Sequence, residues 1–383
     1  MRIVFNTRHD KKLSTRRLLF DYLARDLAAL GVETAVDDWD HYDRYDVAVL
    51  MCSDLESARA RQLNPGLLIG VVHPSDIRAE QVQEIRGADF LIAGTVEERD
   101  YYLSYNPSIF LVYLIEDDWK LWKRHEGKTE TILGYHGNLY HLEQFYPYLS
   151  PALEALAKRH PIRLRAVYDV KSHGLWKVGR PAIPIDDVQW NLETLGQELV
   201  QADIGLVTSL APIPDSLRKR AFRSVLGEAW NHFGAYPNDY LIRFKNCTSS
   251  GRALVFMQLG VPVVSDMSPE LCHILQTGRT GFVAYSSAGW YDALARLIES
   301  PLLRTQIAGN AKQLADDWFN RRTLAERLLL DLSQLVQQKR KGELPQRIGI
   351  PLANEALYRR HAARRSPLRQ LAARLRVGRR RSA

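Results

Sequence analysis

Short, unbroken apolar runs recur along this chain, and they narrow its fold more than any other feature. Asp46–Met51, Leu67–Val72 and Asp89–Ala93 are nearly all apolar, and Ile3–Phe5 and Ile109–Leu114 follow the same pattern. Runs this short are strands, and runs this uniformly apolar are strands covered on both faces, as in parallel sheets. Strands restart at Ile132, at Arg163–Val167, at Asp203–Thr208, at Val261 and at Phe282. Helical patterns lie between them. Ser14 or Thr15 is positioned to cap a helix whose Leu19, Leu23, Leu27 and Leu30 share one face. Strand–helix alternation on this scale predicts an α/β protein with two parallel sheets, each covered on both faces. The polar, irregular stretch Glu116–Glu130 separates the two sets of strands. It divides the chain into an N-terminal domain (1–118), a hinge (119–130), a C-terminal domain (131–338) and a basic tail (339–383).

The net charge of +8 belongs to that tail. Ten arginines and no acid lie between Ala356 and Ala383; with those ten set aside, 42 basic side chains face 44 acidic ones, a balance of about −2. Leu368, Leu371 and Leu375 form a stripe among these arginines. A basic amphipathic helix of this kind suits an anionic membrane surface; a nucleic-acid partner, the rival reading of the charge, is not expected. Three widely spaced cysteines, Cys52, Cys247 and Cys272, suggest neither a disulfide framework nor a zinc site. The chain opens directly into a strand, and no run approaches the ~20 apolar residues of a membrane helix. The expectation is a cytoplasmic protein, peripheral on the inner face of the membrane where the tail reaches it.

Open parallel sheets bind ligands beyond the carboxyl ends of their strands, so the residues after each run are the candidates. The segment Lys245–Asp266 reads as a polar loop, a short helix ended by Gly260, and a buried strand. Thr248, Ser249, Ser250 and Gly251 are small enough for backbone N–H groups to approach an anion, and the helix dipole points the same way. Arg252, in the first turn, adds a fixed charge suited to a diphosphate. Gly134, His136, Gly137 and Asn138 form a second small-residue turn, and Asp169 follows the next strand. Trp190 either stacks on a base or packs in the core. Glu270 opens a helix, where capping alone also explains a carboxylate. In the N-terminal domain the first loop carries Arg8, His9 and Lys11, charges suited to an anionic acceptor or simply to solvent. His73 ends the strand Leu67–Val72, where its imidazole can accept or donate near pH 7.

The order from Lys245 to Glu299 resembles the C-terminal half of GT-B glycosyltransferases, in particular glycosyltransferase family 4 and its group 1 relatives. Gly260-Val261-Pro262-Val263-Val264, Ser268-Pro269-Glu270 and Gly281-Phe282-Val283 carry the resemblance, with Ile132–Asn138 and Ala202–Val207 before them. It implies an α/β GT-B fold, two Rossmann-like parallel-sheet domains facing a cleft, and a nucleoside-diphosphate sugar as donor substrate rather than any bound cofactor or metal. It also implies a glycan or lipid-linked acceptor, as in bacterial surface polysaccharide synthesis, and hexosyl transfer with retention of configuration. On that resemblance Gly137, Asn138, Asp169, Thr248, Ser249, Ser250, Gly251, Arg252 and Glu270 hold the donor, Arg8, His9 and Lys11 lie on the acceptor side, and His73 acts beside the donor sugar. One departure stands out. The family's two glutamates, eight positions apart, fall on Cys247 and Val255. That keeps two alternatives open: a non-catalytic sugar-nucleotide-binding or scaffold protein, and a nucleotide-sugar epimerase. Between Thr208 and Lys245 lies a long extra segment with Arg218-Lys219-Arg220 and an apolar face of Phe222, Leu226 and Trp230, which shapes either the acceptor cleft or a subunit contact.

Overall fold

A computed structural model describes residues 1–74, 78–116, 119–209 and 249–346. The extra segment before Lys245, Cys247, Thr248 and the arginine-rich tail lie outside the described residues. The chain forms two six-stranded sheets. The first contains β1 (Arg2–Asn6), β2 (Glu33–Val36), β3 (Val47–Met51), β4 (Leu68–Val72), β5 (Phe90–Ala93) and β6 (Ile109–Leu111), in the order β2-β1-β3-β4-β5-β6. The second contains β7 (Thr131–His136), β8 (Ile162–Tyr168), β9 (Ile185–Gln189), β10 (Ile204–Val207), β11 (Val263–Asp266) and β12 (Phe282–Ala284), in the order β12-β11-β10-β7-β8-β9. Every pairing is parallel. The central strands are the apolar runs: all five residues of β3 and of β4 are buried.

β2 and β9 have no counterpart among the expected strands. Both lie at sheet edges, where one side of a strand meets solvent. Polar residues are therefore tolerated, and Glu33-Thr34-Ala35-Val36 and Ile185-Asp186-Asp187-Val188-Gln189 show no apolar run to read. The helix after β1 also departs from expectation. Neither Ser14 nor Thr15 caps it: the cap position is Leu13, without a side-chain bond, and Ser14 is already helical. Residues Arg17–Tyr22 form a π-helical turn before the Leu23–Ala29 helix. That wider turn coincides with two buried arginines. Arg16 donates to both Asp37 oxygens at 2.8 and 2.7 Å, and Arg17 donates to Glu116.

Two segments sit differently from the expected domain scheme. The polar stretch 119–130, read as the hinge, is fastened to the second sheet's domain. Lys123 lies 3.0 Å from Asp203 and donates to the Gln201 carbonyl at 2.7 Å, His125 bonds the Gly260 carbonyl, and Arg304 donates to the Glu126 carbonyl. The final helix, Arg321–Lys341, returns to the first domain. Ala325, Leu328, Leu332 and Leu335 join Ile3, Phe5, Leu23 and Val49 in one buried cluster. Arg321 pairs with Asp26 and Lys339 with Asp89. Burying each leucine contributes about 1.5–3 kcal/mol, so residues 321–338, assigned by the sequence to the C-terminal domain, help to hold the N-terminal core.

Candidate active site

A cavity of about 730 Å³ opens between the two sheets. Its walls come from the loops beyond β1, β6, β7, β8, β9 and β10, and from the helix Gly251–Gln258. The strand ends of both domains therefore converge on one cleft, as open parallel sheets dictate.

The wall formed by the C-terminal domain is built from small residues around one arginine. Gly137 has φ +136°, a conformation that L side chains rarely adopt, and a Cβ there would lie 3.0 Å from Arg252 Cδ. Asn138 caps the following turn by accepting from Tyr140 N–H. Arg252 donates through Nη2 to the Thr208 carbonyl and to Ser209 Oγ, whereas Nη1 is buried with no hydrogen-bond partner among the described residues. Burial pushes the Arg252 guanidinium below its ordinary pKa, with Tyr135 and Asp266 opposing that shift. The protein thus holds a cation at a solvation cost that a bound anion would relieve. Beside it His136 is buried, and its pKa is pushed down to about 3 by burial and by Arg252. It is a neutral ring at physiological pH, bonded to the Arg252 carbonyl at 3.3 Å.

Gly137, Asn138, Asp169, Ser249, Gly251 and Arg252 all wall the cleft. The Gly137 N–H does not face an anion, since it donates to the Val167 carbonyl at 3.1 Å. Asp169 caps the turn after β8, and its carboxyl is pulled down to about 2 by the Ser172 hydroxyl, the Gln189 amide and the Ser172 N–H. Ser250 and Glu270 lie behind the wall, fully buried. Glu270 Oε2 accepts from the Val96 N–H at 3.0 Å, so a C-terminal-domain carboxylate caps a helix of the N-terminal domain. Burial pushes this carboxyl up to about 7.

The N-terminal candidates separate from the cleft. Arg8 and His9 line a second cavity of about 580 Å³ with Trp39, Asp37, Asp40 and Arg59. Arg8 is engaged by Glu56 at 2.9 Å and lies over the Trp39 ring at 4.5 Å. Lys11 is exposed and lines neither cavity. His73 stands at the end of β4 with φ +52°, its Nδ1 3.6 Å from Glu98 Oε1, and Glu98 holds its pKa up. It is half exposed and is not part of the cleft wall.

Sequence reasoning missed the residues that the N-terminal half does contribute. Lys12, Arg17 and Glu116 wall the cleft, and Arg17 sits 6.0 Å over the ring of Trp190, which lines the cleft as well. The charged residues of the wall are Lys12, Arg17, Lys171 and Arg252 against Glu116 and Asp169. That imbalance favours an anionic ligand. Among the described residues, no cluster of three or more His, Cys, Asp or Glu could hold a metal ion, and no helix is long and apolar enough to cross a membrane.

Two parallel sheets with their strand ends across a cleft, tied by a final helix returning to the first domain, are a GT-B architecture. Solved structures with this fold superpose along nearly their whole length. Sucrose-phosphate synthase from Thermosynechococcus elongatus matches with a TM-score of 0.59 at 12% identity, over 88% of this chain and 99% of its own. HepE from Anabaena, in complex with UDP-glucose, matches at 0.56 and 14% identity, over 87% and 100%. The lipopolysaccharide outer core galactosyltransferase WaaB matches at 0.51 and 12% identity, over 88% and 100%. No family model matches the chain, and no curated protein matches its sequence.

Proposed function

We propose that this chain is a glycosyltransferase that moves a sugar from a nucleoside-diphosphate sugar to a glycan or glycolipid acceptor, in bacterial surface polysaccharide synthesis. The observation that carries the reading is Arg252: a half-buried arginine whose buried Nη1 has no hydrogen-bond partner among the described residues, flanked by Gly137 and Ser249 on the wall of a cavity large enough for a nucleotide sugar. In the reaction the bond between the anomeric carbon and the diphosphate oxygen breaks, and the acceptor oxygen bonds that carbon and loses its proton. Charge develops on the leaving diphosphate. A cation already in place stabilises it without reorganisation. The acceptor enters from the N-terminal side, where Arg8 and His9 line the neighbouring cavity. Transfer with retention is implied by the family resemblance alone. The tail, read as a tether to anionic membranes, is tested by replacing Leu368, Leu371 and Leu375 with serine; liposome binding that survives undiminished leaves only an electrostatic contact.

A second reading, a non-catalytic module that binds sugar nucleotides, is favoured by Val255, an apolar residue on the cleft wall where the resembling family has a glutamate. Incubation with a panel of nucleotide sugars, with and without glycan acceptors, and mass spectrometry of the products separates the two. A transferase releases nucleoside diphosphate with a glycosylated acceptor, or slow hydrolysis product without one. Tight binding with no turnover supports the module. Conversion of the nucleotide sugar to an isomer without any acceptor would point to an epimerase.

A further inference from the structure

The Gly251–Gln258 helix presents Gly251, Arg252 and Val255 to the cleft and no carboxylate. A nucleotide sugar is rich in vicinal hydroxyl pairs, and ionised carboxylates are the side chains best suited to accept from both members of such a pair. Only two carboxylates wall the cleft among the described residues, Asp169 and Glu116. Asp169 is already engaged: its Oδ1 accepts from the Ser172 N–H and from the Gln189 amide, and the Ser172 hydroxyl bonds its carboxyl as well.

Glu116 is placed by the extended segment Val112–Glu116 that follows β6. Tyr113 and Ile115 are buried in the core of the second domain, whereas Val112 and Leu114 pack on the core of the first. This alternation is that of extended chain, and it puts Glu116 on the side of Leu114, which also walls the cleft. Leu114 presses on the donor-side helix: a Cβ at Gly251 would lie 2.8 Å from the Leu114 carbonyl oxygen. Val255 follows Gly251 by one helical turn on the same face. This extended segment therefore brings a carboxylate to the wall whose own helix lacks one. Arg17, 6% exposed, donates to Glu116 Oε1, while Oε2 takes no hydrogen bond among the described residues. An arginine in this position fixes the carboxylate's orientation.

We propose that Glu116, oriented by Arg17, is the residue that binds a vicinal hydroxyl pair of the nucleotide sugar, on its ribose or on its transferred sugar. This rests on the glycosyltransferase reading and adds to it a residue for donor specificity. The test is calorimetry on the full chain with the tightest binder among UDP, GDP, ADP and CDP, with its 2′,3′-dideoxy analogue, and with the matching nucleotide sugar. Glu116→Gln is expected to weaken the ribonucleotide about tenfold and to leave the dideoxy analogue unchanged if the ribose is bound. It is expected to weaken only the nucleotide sugar if the transferred sugar is bound. Equal binding of all three ligands by wild type and variant overturns the proposal. So does parallel weakening of the dideoxy analogue, which marks Glu116 as a prop for Arg17. Glu116→Asp keeps the charge but retracts it, and should show the same diol-dependent pattern if losing the ion pair unfolds the Gln variant. Wild-type protein that binds none of these nucleotides would end the glycosyltransferase reading itself, whereas a binding wild type with an indifferent Glu116→Gln would end this inference alone.

Discussion

The two halves of the molecule place arginines at their strand ends under different terms. Beyond β1, Arg8 is engaged by Glu56, and Arg16 by Asp37 and Asp21. Beyond β10 and before β11, Arg252 has no carboxylate within ion-pair distance among the described residues; it donates to a carbonyl and a hydroxyl. The sheets are alike in strand number and direction, so topology alone does not say which half takes an anion. The pairing does. A cation already matched by carboxylates gains little from a phosphate, whereas one held by neutral dipoles gains a full partner. Small residues mark the same contrast, since Gly137 and Ser249 lie bare around Arg252 while the loop beyond β1 has no glycine between Asn6 and Lys12.

The comparison can be broken at several levels. The largest effect is expected where the halves are not separable. Leu332 is fully buried in the first domain's core although it belongs to the last helix. Leu332→Ala should destabilise the protein by about 2–5 kcal/mol, read as a shift of the urea midpoint. Loss below about 1 kcal/mol would mean that the final helix is a dispensable clasp.

Glu270 joins the halves through Val96, and its raised pKa gives a pH signature. A carboxyl whose folded pKa lies above its ordinary value of 4.5 binds more protons folded than unfolded between 4.5 and about 7. Its contribution is present in full below 4.5 and is lost as pH rises through about 7, a change on the order of 3 kcal/mol. Glu270→Gln should remove that slope and be the more stable protein at pH 8. Parallel stability profiles of variant and wild type between pH 5 and 8 would contradict it.

The smallest effect is expected at Arg8. Its Glu56 and Trp39 contacts leave it no role toward a nucleotide. Arg8→Ala should change nucleotide affinity less than about twofold, within the effect of a surface contact; a tenfold loss would erase the distinction between the halves.

Much of this architecture was legible in the chain. Most of the ten strands read in the chain are apolar runs, because a strand buried on both faces is apolar throughout; β8 instead alternates Arg163 and Arg165 with buried Leu164 and Ala166. Gly260 adopts φ +73° at the helix end where a glycine was expected. β2 and β9 were not legible, since half-exposed edge strands carry no such run. The wall around Arg252 was readable because Ser249, Gly251 and Arg252 are consecutive or nearly so. The wall from the N-terminal half was not, because Arg17 and Glu116 are 99 residues apart and meet only through the fold. The alternation Val112–Glu116 was available as a signal, but it looked like the ragged end of a strand running into a hinge.

The central claim is that Arg252 holds the donor diphosphate. Calorimetric titration of UDP, GDP, ADP and CDP into wild type and Arg252→Ala tests it most directly. The account predicts that at least one nucleotide binds the wild type and that the variant loses about 1.5–3 kcal/mol of its affinity, the scale of a hydrogen bond to a charged group. A folded Arg252→Ala protein that binds the same nucleotide with unchanged affinity would contradict it.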